Sequence, residues 1–219
     1  MADLTFEAWP KIPRWSNETV TITEKIDGTN ACVVILPYDP DHEFHIQDGY
    51  AKVLASVESE DTAEMYTFAT QSRKRFIKPG KDTDNAGFAA WAWERAPQLI
   101  TSLGYGKHYG EWWGRGIQRG YDMDTKRFSL FRPWRYADTV DFVTAPVEGL
   151  DVVPTLYSGG AEGLLTTSII LATLEQEGSK AAPGYMRPEG IIIQSQLTQS
   201  TYKAFTWDDG RPKSEKEGR

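Results

Sequence analysis

Hydrophobic and polar side chains alternate along residues 19–27 with the two-residue period of a β-strand. One face carries Val20, Ile22, Glu24 and Ile26, and the opposite face carries Thr21, Thr23, Lys25 and Asp27. Gly28, Thr29 and Asn30 follow with the chemistry of a turn. The pattern therefore predicts that Lys25 and Asp27 point the same way, where a strand meets a turn.

Other short runs rich in β-branched and aromatic residues predict further strands. The predicted strands are residues 31–36, 44–57, 65–77, 108–113, 127–132, 190–196 and 201–207, with a polar loop from Glu58 to Glu64. The last two strands are separated by a polar turn, which indicates a hairpin. Strands that follow one another so closely favour antiparallel pairing.

Two segments have the hydrophobic spacing of helices. The first is residues 88–103, which we expect to be capped near Asn85, to end at Gly104 and to kink or split at Pro97. The second is residues 164–177, which Gly178 closes. These helices, with the predicted strands, indicate an α+β fold of mainly antiparallel sheets flanked by helices.

The domain organisation follows from length and composition. The chain has 219 residues, 40% hydrophobic and 12% aromatic, which suits a packed core and excludes a disordered protein. It contains no internal repeat and no clear linker. We expect one domain at residues 1–207, a polar tail at 208–219 and no OB-fold or other C-terminal domain.

Charge is the next constraint on function. A formal net charge of -7 argues against a protein that coats nucleic acid, although a focused basic groove remains compatible with it. Positive residues form two clusters, one of Arg73, Lys74, Arg75, Lys78 and Lys81, the other of Arg115, Arg119, Lys126, Arg127, Arg132 and Arg135. Each cluster is compatible with a solvated surface or with the flank of a nucleic-acid groove.

The number and spacing of the cysteine and histidine residues exclude several kinds of site. Cys32 is the only cysteine, which excludes an intramolecular disulfide and a cysteine-based zinc site and suits a reducing cytoplasm. No apolar run reaches the length of a membrane segment. His42, His45 and His108 lack metal-ligand spacing, so we expect structural or surface roles for them.

Lys25 is the candidate nucleophile. A lysine amine becomes nucleophilic when it is partly desolvated or lies near other positive charge, and a strand end in a groove provides such a place. Gly28 in the same segment lets backbone approach a ligand closely. The string KIDGTN (Lys25 to Asn30) alone is weak, because similar strings occur in solvated turns.

Six segments in order resemble the motifs of one superfamily. They are KIDGTN (Lys25 to Asn30), QSRKRF (Gln71 to Phe76), HYGEWWG (His108 to Gly114), RFSLFR (Arg127 to Arg132), PEGIIIQ (Pro188 to Gln194) and TYKAF (Thr201 to Phe205). Their order and spacing are similar to those of the covalent nucleotidyltransferases, which comprise DNA ligases, RNA ligases and mRNA capping enzymes. The resemblance implies the nucleotidyltransferase fold of ligase adenylation domains, which is ATP-grasp-like.

The resemblance also implies a role for each motif residue. Lys25 would be the catalytic residue that bonds covalently to the nucleotide. Arg73 would contact the ribose or the polynucleotide end, Glu111 the ribose hydroxyls, Phe131 rather than Phe128 the base, and Lys203 the α-phosphate. The implied nucleotide-binding set is Glu24, Lys25, Ile26, Asn30, Arg73, Glu111, Phe131, Glu189 and Lys203, and the implied metal ligands are Glu189 and Asp27.

Each of these roles has a structural alternative. Glu111 could pair with a surface arginine. Glu189 could be a solvated loop carboxylate, Phe131 an ordinary core residue and Arg73 one of several surface charges. At the last segment, TYKAF, many relatives have K-x-K, whereas here Thr201 or Phe205 replaces one lysine.

The segments are most similar to the RNA ligase branch, because Asn30 follows Asp27-Gly28-Thr29 and because of the QSR, GEWWG and PEGIII segments. This implies an ATP-dependent ligase that uses Mg²⁺ or Mn²⁺ and seals RNA, including nicked duplex or RNA/DNA hybrid, in RNA repair. We expect a monomer with no membrane partner. A DNA ligase, a capping-type guanylyltransferase and a non-catalytic nucleotide- or nucleic-acid-binding protein are the alternatives.

Overall fold

The computed structural model describes most of the chain. The described residues are 8, 11, 19–40, 46, 48–55, 64–138, 140–142 and 146–206. The predictions for His42, for His45, for residues 58–63 of the polar loop and for the tail at 208–219 lie outside the described residues. So do most residues of the predicted domain before position 19.

Eleven strands and three α-helices form the described fold. The strands are β1 (Val20–Lys25), β2 (Thr29–Pro37), β3 (Ala51–Ala55), β4 (Met65–Ser72), β5 (Phe76–Ile77), β6 (Gly106–Gly114), β7 (Lys126–Leu130), β8 (Leu150–Val152), β9 (Thr155–Gly159), β10 (Gly190–Ser195) and β11 (Thr201–Phe205). The helices are α1 (Phe88–Glu94), α2 (Ala96–Leu103) and α3 (Thr167–Glu177).

The strands form two sheets. The larger sheet has the order β3-β4-β2-β6-β7-β8, with β5 paired to β4, and the smaller has the order β11-β10-β1-β9. The β7–β8 pair is parallel, whereas the other pairs are antiparallel. The predicted α+β class with mainly antiparallel sheets is therefore confirmed.

Each of the two sheets packs on its own hydrophobic core. The helices α1 and α2 cover the larger sheet, where Phe88, Leu99, Trp112 and Phe128 are buried in one core. Helix α3 covers the smaller sheet through Leu174, against a core that β1 and β10 share. The first five residues of β1 are buried, so side chains on both of its faces, including the polar ones, face the interior.

The first predicted helix splits where proline disfavours helical continuity. Helix α2 begins immediately before Pro97, so the predicted break is confirmed. The cap predicted near Asn85 is provided by the preceding residue, Asp84, whose carboxylate accepts hydrogen bonds from the backbone N–H groups of Ala89 and Ala90 at 2.7 and 3.0 Å. Asn85 instead donates its side-chain amide to Thr29 Oγ1 at 2.9 Å.

Several predicted boundaries shift. The segment 65–77 forms β4 and β5, which a turn separates, because the backbone N–H of Ser72 donates to the Arg75 carbonyl. Within the predicted helix at 164–177, the α-helical part begins at Thr167, after a 3-10 turn, and ends before Gly178. Strands β8 and β9 were not predicted, because Pro154 interrupts this region and each strand is short.

No helix among the described residues has the length and apolar content needed to cross a membrane.

The cap on α1 gives the first testable prediction. Asp84→Ala leaves two N–H groups of the first helical turn without their acceptor, so the free energy of unfolding should fall by about 1–2 kcal/mol. Urea titration followed by circular dichroism measures this. The matched control is Asp82→Ala, at an exposed position in the same turn. Equal stability of both variants would contradict the capping role.

Candidate active site

The pairing of β1 with β10 places Lys25 at the centre of the candidate site. Lys25 is the last residue of β1 and lies opposite Gly190, the first residue of β10. Glu189 immediately precedes that strand, and its Oε2 accepts a hydrogen bond from Lys25 Nζ at 2.6 Å. The Glu189 side chain is 5% exposed and the Lys25 side chain 22% exposed. A buried carboxylate thus holds an amine that solvent still reaches.

The Lys25 side chain opens into a cavity of about 570 Å³. Its lining includes eight residues of the predicted nucleotide-binding set, namely Glu24, Lys25, Ile26, Asn30, Arg73, Glu111, Phe131 and Lys203. The ninth, Glu189, reaches the cavity through its contact with Lys25. The structure therefore brings together residues that are as far apart in sequence as Glu24 and Lys203.

Glu111, which lies in strand β6, accepts hydrogen bonds from the segment that follows β1. Its Oε1 accepts from the backbone N–H of Gly28 at 3.1 Å, and its Oε2 accepts from the side-chain amide of Asn30 at 2.9 Å. A Cβ at position 28 would lie 2.5 Å from the Trp112 carbonyl oxygen, so only glycine allows this approach. The Glu111 carboxylate thereby faces the cavity in a fixed orientation.

Burial dominates the electrostatics of Glu111, which is 8% exposed. The pKa of Glu111 is raised to about 7, mainly by desolvation and to a smaller extent by the nearby Glu189. The charge of Lys25 and the hydrogen bonds from Gly28 and Asn30 act in the opposite direction. The carboxyl group therefore changes charge near neutral pH, unlike the alternative of a surface carboxylate paired with arginine.

Glu24 lines the cavity, but its carboxylate is already engaged. It accepts hydrogen bonds from Ser179 Oγ at 2.6 Å and from the backbone N–H groups of Lys180 and Ala181 at 2.7 and 2.9 Å. Burial raises the pKa of Glu24, although these hydrogen bonds oppose the shift. Glu24 thus anchors the loop after α3, an attachment that the sequence did not indicate.

Asp27 does not line the cavity. The prediction that Asp27 points the same way as Lys25 is wrong, because β1 ends at Lys25 and the strand alternation stops there. The Asp27 carboxylate instead pairs with Arg119 Nε at 2.8 Å, and its backbone N–H donates to the Tyr121 hydroxyl at 2.8 Å. The two predicted metal ligands, Asp27 and Glu189, therefore pair with different cations.

The last of the six segments, TYKAF, places Lys203 and Phe205 beside Lys25. Lys203 lines the cavity together with Thr201. The Phe205 ring centroid lies 5.4 Å from Lys203 Nζ and 5.9 Å from Lys25 Nζ. Each ammonium is therefore close enough to the ring for a cation–π interaction. Phe205 thus presents an aromatic ring to both ammonium groups.

Phe131 and Phe128, the two candidates for contact with the base, lie in different places. Phe128 is fully buried in the core of the larger sheet, whereas Phe131 lies on the cavity wall beyond the end of β7. His108 is also structural, as predicted. Its ring nitrogens contact the Gly104 carbonyl and the Tyr136 hydroxyl, and burial lowers the pKa of His108 to about 4.

Sequence reasoning missed several residues of the cavity wall. They are Thr23, Tyr109, Tyr136, Val153, Ile192, Gln194 and Thr201, and two more, Arg132 and Arg135, were identified only as members of a basic cluster. The alternation in β1 placed Thr23 on the Lys25 face, which was the available signal for it. The others come from strands and turns that only the tertiary structure brings together.

Comparison with known proteins agrees with the geometry. The RNA ligase family model matches residues 18–205. A comparison with curated protein sequences gave no match.

Among solved structures, three lysine-to-alanine variants of a Naegleria gruberi RNA ligase are similar to the chain. Two were solved with ATP and manganese, at TM-scores of 0.54 and 0.50 and 15% identity. The third was solved without ligand, at a TM-score of 0.50 and 16% identity. Each comparison covers 87% of this chain and 50% of the other, so the chain spans about half the length of those proteins. At this identity the likeness shows a shared fold.

The pKa of Glu111 predicts a pH-dependent stability. An exposed glutamate in the unfolded chain titrates near ~4.3, whereas the folded carboxyl titrates at about 7. Between these values the folded state holds a proton that the unfolded state has lost. The free energy of unfolding should therefore fall as the pH rises through this window, by on the order of 3–4 kcal/mol from this group.

Glu111→Gln should remove this dependence, because glutamine does not titrate. Urea unfolding of the parent and the variant at pH values on both sides of the window measures the difference. Glu175→Gln, at an exposed position, is the matched control and should keep the parent's pH dependence. A stability difference between parent and Glu111→Gln that does not change with pH would contradict the raised pKa.

Proposed function

The chain belongs to the RNA ligase family, and from this membership we propose that it is an ATP-dependent RNA ligase with Lys25 as its nucleophile. One observation carries the proposal. Lys25 Nζ lies 2.6 Å from the buried Glu189 carboxylate, in the wall of a cavity that also holds Arg73, Glu111 and Lys203. Amines, carboxylates and a guanidinium at one cavity suit phosphoryl transfer, which depends mainly on positioning and charge neutralisation.

The first step is the transfer of AMP to Lys25. The neutral amine attacks the α-phosphorus of ATP, a nitrogen–phosphorus bond forms, and the bond from that phosphorus to the bridging oxygen breaks. Pyrophosphate leaves with the electron pair, and the nitrogen loses a proton. An ammonium that donates to Glu189 has no free lone pair, so Lys25 must give up a proton before attack, and the Glu189 carboxylate that it contacts can accept it.

The cavity residues orient the nucleotide for this step. We assign Phe131 to the base, the fixed carboxylate of Glu111 to the ribose hydroxyls, and Lys203 to the α-phosphate. The location of all three on the wall of one cavity supports the assignment. Arg73 lies on the same wall and is assigned to the ribose or to the polynucleotide end.

Glu24, Ile26 and Asn30 complete the nucleotide site. Ile26 is buried on the wall, where it contributes apolar surface. Asn30 acts through Glu111, because the Asn30 side-chain amide donates a hydrogen bond to the Glu111 carboxylate. The Glu24 carboxylate already accepts hydrogen bonds from backbone N–H groups of the loop after α3. We therefore assign to Glu24 a role in shaping the cavity.

A divalent cation, Mg²⁺ or Mn²⁺, fits the donor set through Glu189. The described residues contain no group of three or more histidine, cysteine, aspartate or glutamate side chains that could hold a metal. Magnesium in nucleotide sites is commonly held by one or two carboxylates together with substrate phosphates. When bound there, the metal would neutralise phosphate charge. Asp27, already paired with Arg119, is the weaker of the two predicted ligands.

In the remaining steps, AMP passes from Lys25 to a 5′-phosphate end, and a 3′-hydroxyl displaces AMP to form the phosphodiester. We propose RNA as the sealed strand, including nicked duplex and RNA/DNA hybrid, in RNA repair, by a monomeric protein in the cytoplasm. Family membership supports this substrate over DNA or an mRNA cap.

Labelling of the protein tests the proposal. Incubation with α-labelled ATP and Mg²⁺, followed by denaturing electrophoresis, should give a labelled protein band, whereas α-labelled GTP should give none. Lys25→Ala should abolish the label because it removes the nucleophile. Lys81→Ala, at an exposed position outside the cavity, is the control and should label like the parent.

The labelling outcomes separate the alternatives. Label from GTP alone would favour a guanylyltransferase. No label from either nucleotide would favour a non-catalytic binding protein. Sealing assays with nicked RNA, single-stranded RNA and nicked DNA then distinguish an RNA ligase from a DNA ligase.

Lys203 provides a second prediction. Lys203→Ala removes a charge assigned to the α-phosphate, and a hydrogen bond to a charged group contributes about 1.5–3 kcal/mol, so adenylation should slow by roughly ten- to a hundredfold. Lys203→Arg should retain part of the rate, whereas Lys74→Ala, at an exposed position outside the cavity, should change little. Single-turnover adenylation at saturating ATP measures this. An unchanged rate in Lys203→Ala would contradict the assignment.

A further inference from the structure

The nucleotide cavity continues into a second groove of about 300 Å³. Arg132, Gln194 and Thr201 line both spaces. Beyond them, Trp134, Gln196 and Gln199 line only the second groove. We call this space, which Ser195 and Ser200 also line, the Trp134 groove. It has no aspartate or glutamate among its described lining residues, so it presents no negative charge to a polyanion.

We propose that the Trp134 groove binds a nucleotide of the RNA strand, with its base stacked on Trp134 and its phosphate at Arg132. The inference rests on the proposed ligase function, and it adds the path by which the strand leaves the active site. Four observations carry it, and they concern Trp134, Arg132, Gln194 and the distance from Lys25.

Trp134 is a large aromatic side chain in a polar groove, and it is 40% exposed. It lies in the 3-10 turn Pro133–Arg135, which backbone hydrogen bonds hold on both sides. The Arg135 N–H donates to the Arg132 carbonyl at 2.9 Å, and the Tyr136 N–H donates to the Pro133 carbonyl at 3.0 Å. An indole on a fixed turn provides a platform on which any base can stack.

Arg132 adopts a strained backbone conformation, with φ 59° and ψ 65°. Left-handed geometry is uncommon for a residue other than glycine and is a feature of functional sites. Its guanidinium forms no hydrogen bond or ion pair with any residue that the structure describes, although it lies between the two spaces. A cation in this position, without a protein partner among those residues, is suited to a phosphate.

Gln194 has a side-chain oxygen that receives no hydrogen bond from the described residues. This oxygen, Oε1, is buried. Buried polar atoms are normally hydrogen-bonded, so this acceptor indicates a missing donor. The terminal torsion of glutamine is broad, and its rotation can turn the amide toward the groove. A ribose hydroxyl or a base amino group would supply the donor.

The distance of the Trp134 groove from Lys25 determines which nucleotide of the strand the groove would bind. Lys25 lies opposite Gly190, whereas Gln194 lies four residues farther along β10. At ~3.3 Å per residue this is about 13 Å from the level of the nucleophile. A stacked strand advances ~3.4 Å per nucleotide, so the groove takes a nucleotide about four positions from the reacting end.

Oligonucleotide binding tests the proposal in the 219-residue chain. The probe is a fluorescently labelled single-stranded RNA of ~12 nucleotides with a 5′-phosphate, titrated by anisotropy at fixed salt. Trp134→Ala should weaken binding on the order of tenfold, because stacking on that ring is lost. Trp134→Phe should restore most of the affinity. Tyr105→Ala is the matched control, since Tyr105 is an exposed aromatic that lines neither space.

Arg132→Asn is a second, independent variant. Asparagine tolerates left-handed backbone, so the turn is retained while the cation is removed. Its binding should be weaker, and the slope of log affinity against log salt should decrease by about 0.7, as expected for one lost phosphate contact on a single strand. A purely structural role for Arg132 would leave that slope unchanged.

The outcomes distinguish this proposal from the function on which it rests. If Trp134→Ala and Arg132→Asn bind the RNA as tightly as the parent, or if the parent is adenylated but binds no RNA, the groove is not an RNA site. If the parent is not adenylated by ATP, the ligase function fails instead. RNA binding that both variants weaken, with the Tyr105 control unchanged, supports the groove.

Discussion

The candidate site depends on one strand register. β1 and β10 pair so that Lys25 lies opposite Gly190, and this brings Lys25 Nζ to 2.6 Å from a carboxylate 164 positions away. A shift of one residue would turn Lys25 to the other face of the sheet. Gly190 also permits the close approach of β11, because a Cβ there would lie 2.1 Å from the Ala204 carbonyl oxygen. The same pairing therefore positions Lys203.

Three buried carboxylates lie in or beside the wall of the cavity, and each has a definite partner. Glu189 pairs with Lys25, Glu111 binds the turn after β1, and Glu24 anchors the loop after α3. Burying a carboxylate costs free energy unless hydrogen bonds or opposite charge compensate. Here that compensation also fixes the shape of the cavity. A preorganised site of this kind has little reorganisation left to perform when phosphate charge develops.

The sequence predicted what local chemistry determines. Alternation identified β1, Pro97 marked the break between helices, and Gly178 marked the end of α3. Contacts between distant residues carried no such signal. The Arg119 side chain that turns Asp27 away from Lys25, and the groove around Trp134, arise only when separate turns and strands meet. Resemblance to known motifs supplied eight residues of the cavity wall, because motif order reflects that tertiary arrangement.

Peptide mapping by mass spectrometry tests the central claim most directly. The purified protein is incubated with ATP and Mg²⁺, denatured and digested, and the AMP-modified peptide is sequenced by fragmentation. We expect a single AMP adduct on Lys25, because that amine lies between the Glu189 carboxylate and the nucleotide cavity. An adduct on Lys203 or another lysine, or no adduct on a folded protein that binds ATP, would contradict it.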